Sequence, residues 1–167
     1  MVKFLKIRNV KDPQRDPGNC GIDVFVPEAE ESFINDLKAK NPSIDITDLR
    51  ILLMPQESVN IPTGLKTYFP ENIALEAANK SGVATKKKLL VGASVVDPSY
   101  QGEIHAHVIN AGLEPQVINY GEKIVQFIPR IIDIEPHQVF SGITPEEFYN
   151  GVKTERGEGG FGSTGNF

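Results

Sequence analysis

The sequence has 167 residues, enough for one domain with its own core, and its one cysteine, Cys20, excludes a disulfide within it. Its 17 basic and 22 acidic residues give a net charge of −5, which argues against stable nucleic-acid binding, because such binding needs positive surface to displace counterions. Neither an apolar run near the ~20 residues of a membrane span nor a signal-peptide pattern is present, so we expect no membrane partner. The expected location is cytoplasmic, or nuclear or host-cytoplasmic for a eukaryotic or viral source.

Most of the chain is predicted to form short strands. β-branched segments alternate with turns rich in Pro, Gly and Asn, which indicates an all-β sandwich or barrel and not a βαβ fold. The predicted strands are residues 2–10, 22–26, 51–54, 58–61, 64–69, 72–79, 88–96, 102–110, 116–119 and 123–134. Thr144 and Glu147 have the spacing of a capping box, which predicts one helical turn. We expect a β domain over residues 1–150 and a flexible C-terminal arm over residues 151–167.

Residues 28–49 differ from this strand pattern and predict a helical insertion. Apolar side chains recur at helical spacing along SFINDLKAK, and Asn41 with Pro42 ends the pattern. Residues 45–53 are compatible with either a second helical turn or a strand.

The arm concentrates groups that suit a phosphate ligand. Five of the 15 glycines follow Arg156, and glycine allows backbone N–H groups to converge on an anion. Ser163 and Thr164 add hydroxyl donors, and Arg156 offers a bidentate fork for phosphate oxygens. Phe161 stands among polar residues and could stack on an aromatic ligand. From these residues alone, a flexible tail of incidental composition remains the alternative.

Residues 94–104 place a carboxylate in a turn between two apolar segments. Asp97 could act as a general base toward water, and Tyr100 could form a pocket wall that excludes a larger group. A turn aspartate with an Asx-type hydrogen bond is the alternative.

Two other segments could contact an anion. Residues 80–82 (Lys-Ser-Gly) resemble the start of a helix that binds an anion, although a lysine-rich stretch is usually a solvated face. Gln126 lies among apolar residues of a predicted strand and needs a partner, which could be a buried structural hydrogen bond. His105 and His107 share a strand face, but no third ligand follows at a suitable spacing, which argues against a metal site there.

Taken in order, these segments resemble the five motifs of the trimeric dUTP diphosphatase (dUTPase) family. The similar segments are residues 21–24 (Gly-Ile-Asp-Val), 80–82 (Lys-Ser-Gly), 95–104 (VVDPSYQGEI), 121–126 (GEKIVQ) and 156–165 (RGEGGFGSTG). The third and fifth are specific, and the resemblance spans roughly residues 1–27 and 50–167. In the second motif, Lys80 stands where the family usually has Arg, and a lysine cannot reproduce the guanidinium fork.

The resemblance implies a jelly-roll-type β-sandwich that forms a homotrimer with active sites shared between subunits. It implies hydrolysis of dUTP to dUMP and diphosphate, which limits uracil in DNA and supplies dUMP for dTMP synthesis. The catalytic residue would be Asp97, which activates a water for attack on the α-phosphorus. The cofactor would be Mg²⁺, held mainly by the phosphates and water, with Asp23 contacting it indirectly through water.

The resemblance also implies roles for individual residues. Ser94, Val95 and Val96 would recognise uracil through their backbone, Tyr100 would pack against the deoxyribose, and Phe161 would stack on the base. The phosphate-binding residues would be Lys80, Ser81, Gly82, Gln126, Arg156, Gly162, Ser163 and Thr164.

Two alternative functions stay open. A dCTP deaminase shares the same frame, although the complete arm is typical of the hydrolase. A regulatory protein of this fold could instead bind a protein partner, and the insertion at residues 28–49 is the segment that it would use.

Overall fold

The computed structural model describes residues 1–133 and 135–154. Their regular secondary structure consists mostly of short strands. The strands are β1 (Lys3–Lys6), β2 (Ile22–Phe25), β3 (Asp45–Ile46), β4 (Ile51–Leu53), β5 (Ser58–Pro62), β6 (Leu65–Tyr68), β7 (Ile73–Asn79), β8 (Leu89–Val91), β9 (Val95–Val96), β10 (His105–Asn110), β11 (Gln116–Ile118) and β12 (Lys123–Ile131). The helical segments are α1 (Glu31–Lys40), a π-helical turn (Val83–Lys87) and α2 (Pro145–Phe148).

The strands form antiparallel sheets around one core. The sheet that positions the candidate site has the order β2-β12-β7-β9, and the others have the orders β5-β10-β8, β11-β4-β3 and β1-β6. Along β10, Ala106, Val108 and Asn110 are buried while the residues between them are half-buried, which is the period-2 pattern of a strand packed on one face. The predicted all-β class is confirmed.

One predicted strand is wrong. Residues 88–96 do not form a continuous strand, because β8 pairs with β10 while β9 pairs with β7 in a different sheet. The chain crosses between the sheets at Gly92, where a Cβ atom would overlap the ring of His107. Apolar residues on both sides of the crossing pack on the same core, among them Leu89 and Val96, so the pattern of apolar residues does not separate the two strands.

The helix predicted within residues 28–49 is confirmed as α1. Its apolar side chains Phe33, Ile34 and Leu37 are buried against the core. Asn41 ends the helix, and its side-chain Nδ2 donates to the carbonyls of Leu37 at 2.8 Å and Asn60 at 3.0 Å. Of the two alternatives for residues 45–53, the structure has strands, β3 and β4.

The chain divides into two compact units, Met1–Ile134 and Glu135–Phe167. In the second unit, the Thr144 hydroxyl accepts a hydrogen bond from the Glu147 N–H, and the Glu147 carboxylate accepts one from the Thr144 N–H. The predicted capping box at the start of α2 is therefore confirmed. The predicted domain boundary at residue 150 stays a prediction. Within the described residues, no helix has the length and apolarity needed to cross a membrane.

Candidate active site

A cleft of about 240 Å³ opens beside β9 and β10. Sequence reasoning placed five of its lining residues in a nucleotide site, and the structure brings them together: Ser94, Val95, Val96, Asp97 and Tyr100. The other lining residues are Asn60, Ala77, Ala93, Glu103, Ile104, His105, His107 and Phe127. Ala93, Glu103, Ile104, His105 and His107 belong to the same stretch of chain, whereas Asn60, Ala77 and Phe127 come from strands distant in sequence, and nothing in the local pattern indicated these three.

The backbone of β9 is positioned by β7 on one side. Val95 and Val96 pair with Glu76 and Leu75, and the N–H of Ala77 donates to the carbonyl of Ser94 at 2.6 Å. Among the described residues, β9 is the last strand of its sheet, so backbone groups on its side away from β7 have no strand partner. The cleft therefore has backbone donors and acceptors at fixed spacing.

The two apolar segments that flank the turn in residues 94–104 do not pair with each other. The ladder partner of β9 is β7, whereas β10 pairs with β5 and β8, so this segment connects two sheets. Asp97 follows β9 directly, and its carbonyl accepts the N–H of Tyr100 at 3.1 Å in a turn. Asp97 is exposed, so its carboxylate is accessible to water.

Tyr100 is positioned by two contacts at the hydroxyl end of its ring. Its hydroxyl donates to the carbonyl of Glu103 at 3.0 Å, and a Cβ atom at Gly102 would overlap that hydroxyl. Since 43% of Tyr100 remains exposed, part of its ring is accessible to a ligand.

His107 positions the chain just before the cleft. Its Nδ1 accepts the N–H of Ala93 at 3.0 Å, and its carbonyl accepts the N–H of Gly92 at 2.9 Å. The two bonds fix the crossing that leads into Ser94. Sequence reasoning considered His107 only as one of two residues on a strand face and missed this role.

A second group of polar residues, which we call the Asp23 cluster, consists of Asp23, Lys80, Lys123 and Gln126. Asp23 forms ion pairs with Lys80 through Oδ1 and with Lys123 through Oδ2, the latter at 3.1 Å. Burial acts to raise the pKa of Asp23, but the hydrogen bonds and charges of both lysines outweigh it and hold the pKa below its ordinary value. Two ammonium groups on one carboxylate leave a local excess of positive charge.

Gln126 lies beside Asp23 because β12 pairs with β2. Its Nε2 donates to the carbonyl of Asn79 at 2.9 Å, and a Cβ atom at Gly21 would overlap the Gln126 amide. The hydrogen bond is the structural role that the sequence left open, and it leaves acceptor and donor capacity in the amide.

Ser81 and Gly82 follow Lys80 at the start of the helical segment and are exposed. A Cβ atom at Gly82 would meet nothing within 4 Å. Packing within this chain therefore does not require glycine there, whereas close approach of a ligand or of another chain would.

The cleft and the Asp23 cluster lie on opposite faces of the β2-β12-β7-β9 sheet. Phe127 lines the cleft and Gln126 belongs to the cluster, and adjacent residues of a strand point to opposite faces. Their partners on β7, Ala77 and Ala78, repeat the alternation. A ligand in the cleft thus does not reach Gln126 of the same chain through the sheet.

Five predicted residues, Arg156, Phe161, Gly162, Ser163 and Thr164, lie outside the described residues. Among the residues that are described, no group of three or more His, Cys, Asp or Glu side chains could hold a metal ion.

The comparisons with known proteins agree on one family. The dUTPase family profile matches residues 22–165. A deoxyuridine 5'-triphosphate nucleotidohydrolase of Desulfitobacterium hafniense is 39% identical over 126 residues, covering 71% of this chain and 75% of that protein. The protein of the same name from Wolbachia pipientis is 34% identical over 120 residues, covering 71% and 74%.

Solved structures show the same fold. A Staphylococcus bacteriophage 80alpha dUTPase with dUPNHPP superposes with a TM-score of 0.72 and 21% identity, covering 99% of this chain and 98% of that chain. The EIAV dUTPase has a TM-score of 0.63 and 22% identity, covering 86% and 99%. The predicted dUTPase-like fold is confirmed.

Proposed function

The chain belongs to the dUTPase family, and from that membership we propose that it hydrolyses dUTP to dUMP and diphosphate. The observation that carries the proposal is the cleft, where an exposed carboxylate, Asp97, directly follows an edge strand with free backbone groups. These are the two elements that recognition of a base and activation of a water require.

Asp97 is the general base. It accepts a proton from a water whose oxygen attacks the α-phosphorus, and the bond from that phosphorus to the bridging oxygen breaks as diphosphate leaves. General-base help of this kind contributes about 10²–10⁴-fold in rate.

Recognition of the base uses the backbone of Ser94, Val95 and Val96. Because β9 offers donors and acceptors at fixed spacing, cytosine would leave some of them unpaired, which is a strong basis for discrimination. Tyr100 packs against the deoxyribose, so that a 2′-hydroxyl would meet its ring.

The phosphates bind to Ser81, Gly82, Gln126 and Lys80, the last of these released in part from Asp23. Since the Asp23 cluster lies on the opposite sheet face from the cleft, the cleft of one subunit is completed by the cluster of another. This supports shared sites in an oligomer, for which the family resemblance implies a homotrimer, and the space at Gly82 leaves room for a ligand or another chain.

Magnesium is the expected cofactor. The contacts that the Asp23 carboxylate already makes show whether this residue could bind Mg²⁺ directly or only through water. Both Asp23 oxygens already pair with ammonium groups, so a direct bond to Mg²⁺ would place two cations beside the ion. A carboxylate has about four acceptor sites, which leaves capacity for one metal-bound water. Asp23 therefore suits the indirect contact, and Mg²⁺ bound to the phosphates would neutralise charge on the leaving diphosphate.

The arm closes the site over the bound nucleotide. Arg156, Gly162, Ser163 and Thr164 contact the γ-phosphate, and Phe161 stacks on uracil. Closure of such a segment excludes water and orders the phosphates for attack.

The test is diphosphate release from dUTP, dTTP, dCTP and UTP in the presence of Mg²⁺. The proposal requires dUTP to be strongly preferred. Ammonia release from dCTP would show the deaminase instead.

Shared sites can be tested with mixed subunits. Asp97→Asn removes the base from the cleft, and Gln126→Ala removes a phosphate contact from the cluster on the other face. Each variant alone should be weakly active, whereas subunits mixed after mild dissociation should regain turnover, because some sites combine two intact halves. If mixing restores nothing while the subunits demonstrably exchange, each site lies within one chain.

A further inference from the structure

The insertion helix α1 is connected to the cleft through one arginine. The Arg8 Nε and Nη2 atoms donate to the two carboxylate oxygens of Glu103 at 2.7 and 2.8 Å. The same Nη2 donates to Oδ2 of Asp36 on α1 at 2.5 Å. The guanidinium also lies over the ring of Phe33, 5.6 Å from its centroid, within the range of a cation–π interaction. The insertion thus provides both an acid and an aromatic face to Arg8.

Glu103, which binds Arg8, also contacts Tyr100. Its carboxylate, besides binding Arg8, accepts the backbone N–H of Gly64 at 2.7 Å. Its carbonyl accepts the hydroxyl of Tyr100 at 3.0 Å. Both oxygens of the Glu103 side chain are thus bound, which restrains the residue whose carbonyl holds the Tyr100 hydroxyl.

These contacts are partly shielded from solvent. The side chains of Arg8, Asp36 and Glu103 are 21%, 27% and 12% exposed. Charge-assisted bidentate bonds in such a setting are stronger than exposed surface pairs. Tyr100 is 43% exposed, so packing fixes its ring only in part, and the hydrogen bond to Glu103 adds to that constraint.

We propose that the insertion helix α1 sets the position of Tyr100 through Asp36, Arg8 and Glu103, and thereby sets how strongly the cleft rejects a ribonucleotide. Asp36 and Arg8 are positioning residues, since neither lines the cleft. The inference rests on the proposed function, in which Tyr100 packs against the deoxyribose. It gives the insertion a role in substrate specificity, transmitted by contiguous hydrogen bonds.

The experiment compares kcat/KM for dUTP and for UTP in the full-length oligomer. Asp36→Asn removes the carboxylate charge that Arg8 and Lys40 share, and Arg8→Met removes the guanidinium while it keeps a long side chain. A looser Tyr100 tolerates a 2′-hydroxyl better, so we expect the dUTP-to-UTP ratio to fall about threefold in Asp36→Asn and about tenfold in Arg8→Met.

Two control variants on the same helix separate positioning from stability. Glu31→Gln makes the same charge change at an exposed site and should leave the ratio unchanged. Ile34→Val removes one buried methyl group and should lower Tm without changing the ratio. If Asp36→Asn lowers Tm but leaves the ratio at the wild-type value, the contact chain is structural only and the inference is wrong.

A double-mutant cycle provides the second measurement. Tyr100→Phe removes the hydroxyl through which Glu103 acts, so Asp36→Asn should have no further effect on the ratio in that background. Additive effects would mean that Asp36 acts by another route. Failure of the proposed function is distinguishable, because the wild-type enzyme would then release no diphosphate from dUTP.

Discussion

The cleft on one face of the β2-β12-β7-β9 sheet and the Asp23 cluster on the other are assembled in different ways. The cleft is formed largely by one stretch of chain, residues 93–107, and backbone groups of residues 94–96 supply part of its polar surface. The cluster is formed by side chains from three separate strands or their ends, and ion pairs hold it together. Recognition of a flat, neutral base suits the first arrangement, and binding of a charged phosphate chain suits the second.

The largest effect is expected at the carboxylate of the cleft. Asp97→Asn keeps the shape of the side chain but cannot accept the proton, so turnover of dUTP should fall about 10²–10⁴-fold with little change in nucleotide affinity. Single-turnover kinetics together with calorimetric binding of a non-hydrolysable dUTP analogue provides the check. Turnover close to that of the wild type would remove Asp97 as the base.

The next largest effect is expected at Lys80, and it tests whether the Asp23 cluster binds only the phosphates of the nucleotide. Lys80→Ala should weaken binding of the triphosphate analogue about 10–100-fold, the range for one charge-assisted hydrogen bond. Binding of dUMP should hardly change, because the β- and γ-phosphates are missing. Lys80→Arg is the matched control and should retain affinity; equal losses for both nucleotides would contradict the division of roles.

A smaller effect is expected where His107 supports the cleft. His107→Leu removes the acceptor for the Ala93 N–H, so the Ser94 backbone should become less fixed, and KM for dUTP should rise about tenfold. Unlike Lys80→Ala, the His107→Leu substitution should weaken binding of dUMP as much as binding of the triphosphate. In His107→Asn the amide oxygen can replace Nδ1, and KM should return toward the wild-type value.

The smallest effect concerns the pH dependence of stability. The pKa of Asp23 is lowered in the folded state, so its contribution is complete above the unfolded pKa of about 3.9 and is lost as the pH falls through the folded value. Asp23→Asn should therefore lower the free energy of unfolding by about 2 kcal/mol at neutral pH. Denaturant unfolding from pH 7 downward should show this difference shrinking below about pH 4; a difference independent of pH would exclude the charge of Asp23 as its source.

Local sequence determined a large part of this protein. The period of the apolar residues determined α1 and most strands, because burial of one face imposes the same period on any sequence that folds this way. Residues 94–100 could be assigned to one site since they are contiguous and remain together wherever the sheets place them. A protein partner for residues 28–49 stays a prediction.

Only the tertiary structure decided which distant residues meet. The contact of Arg8 with Glu103 joins residues 95 positions apart, and that of Lys80 with Asp23 joins residues 57 apart. No local period carries such information, because strand pairing and the crossing at Gly92 depend on the packing of the whole core. The strand period alone puts the neighbours Gln126 and Phe127 on opposite faces, but only the packing of the sheets placed Gln126 beside Asp23 and Phe127 in the cleft.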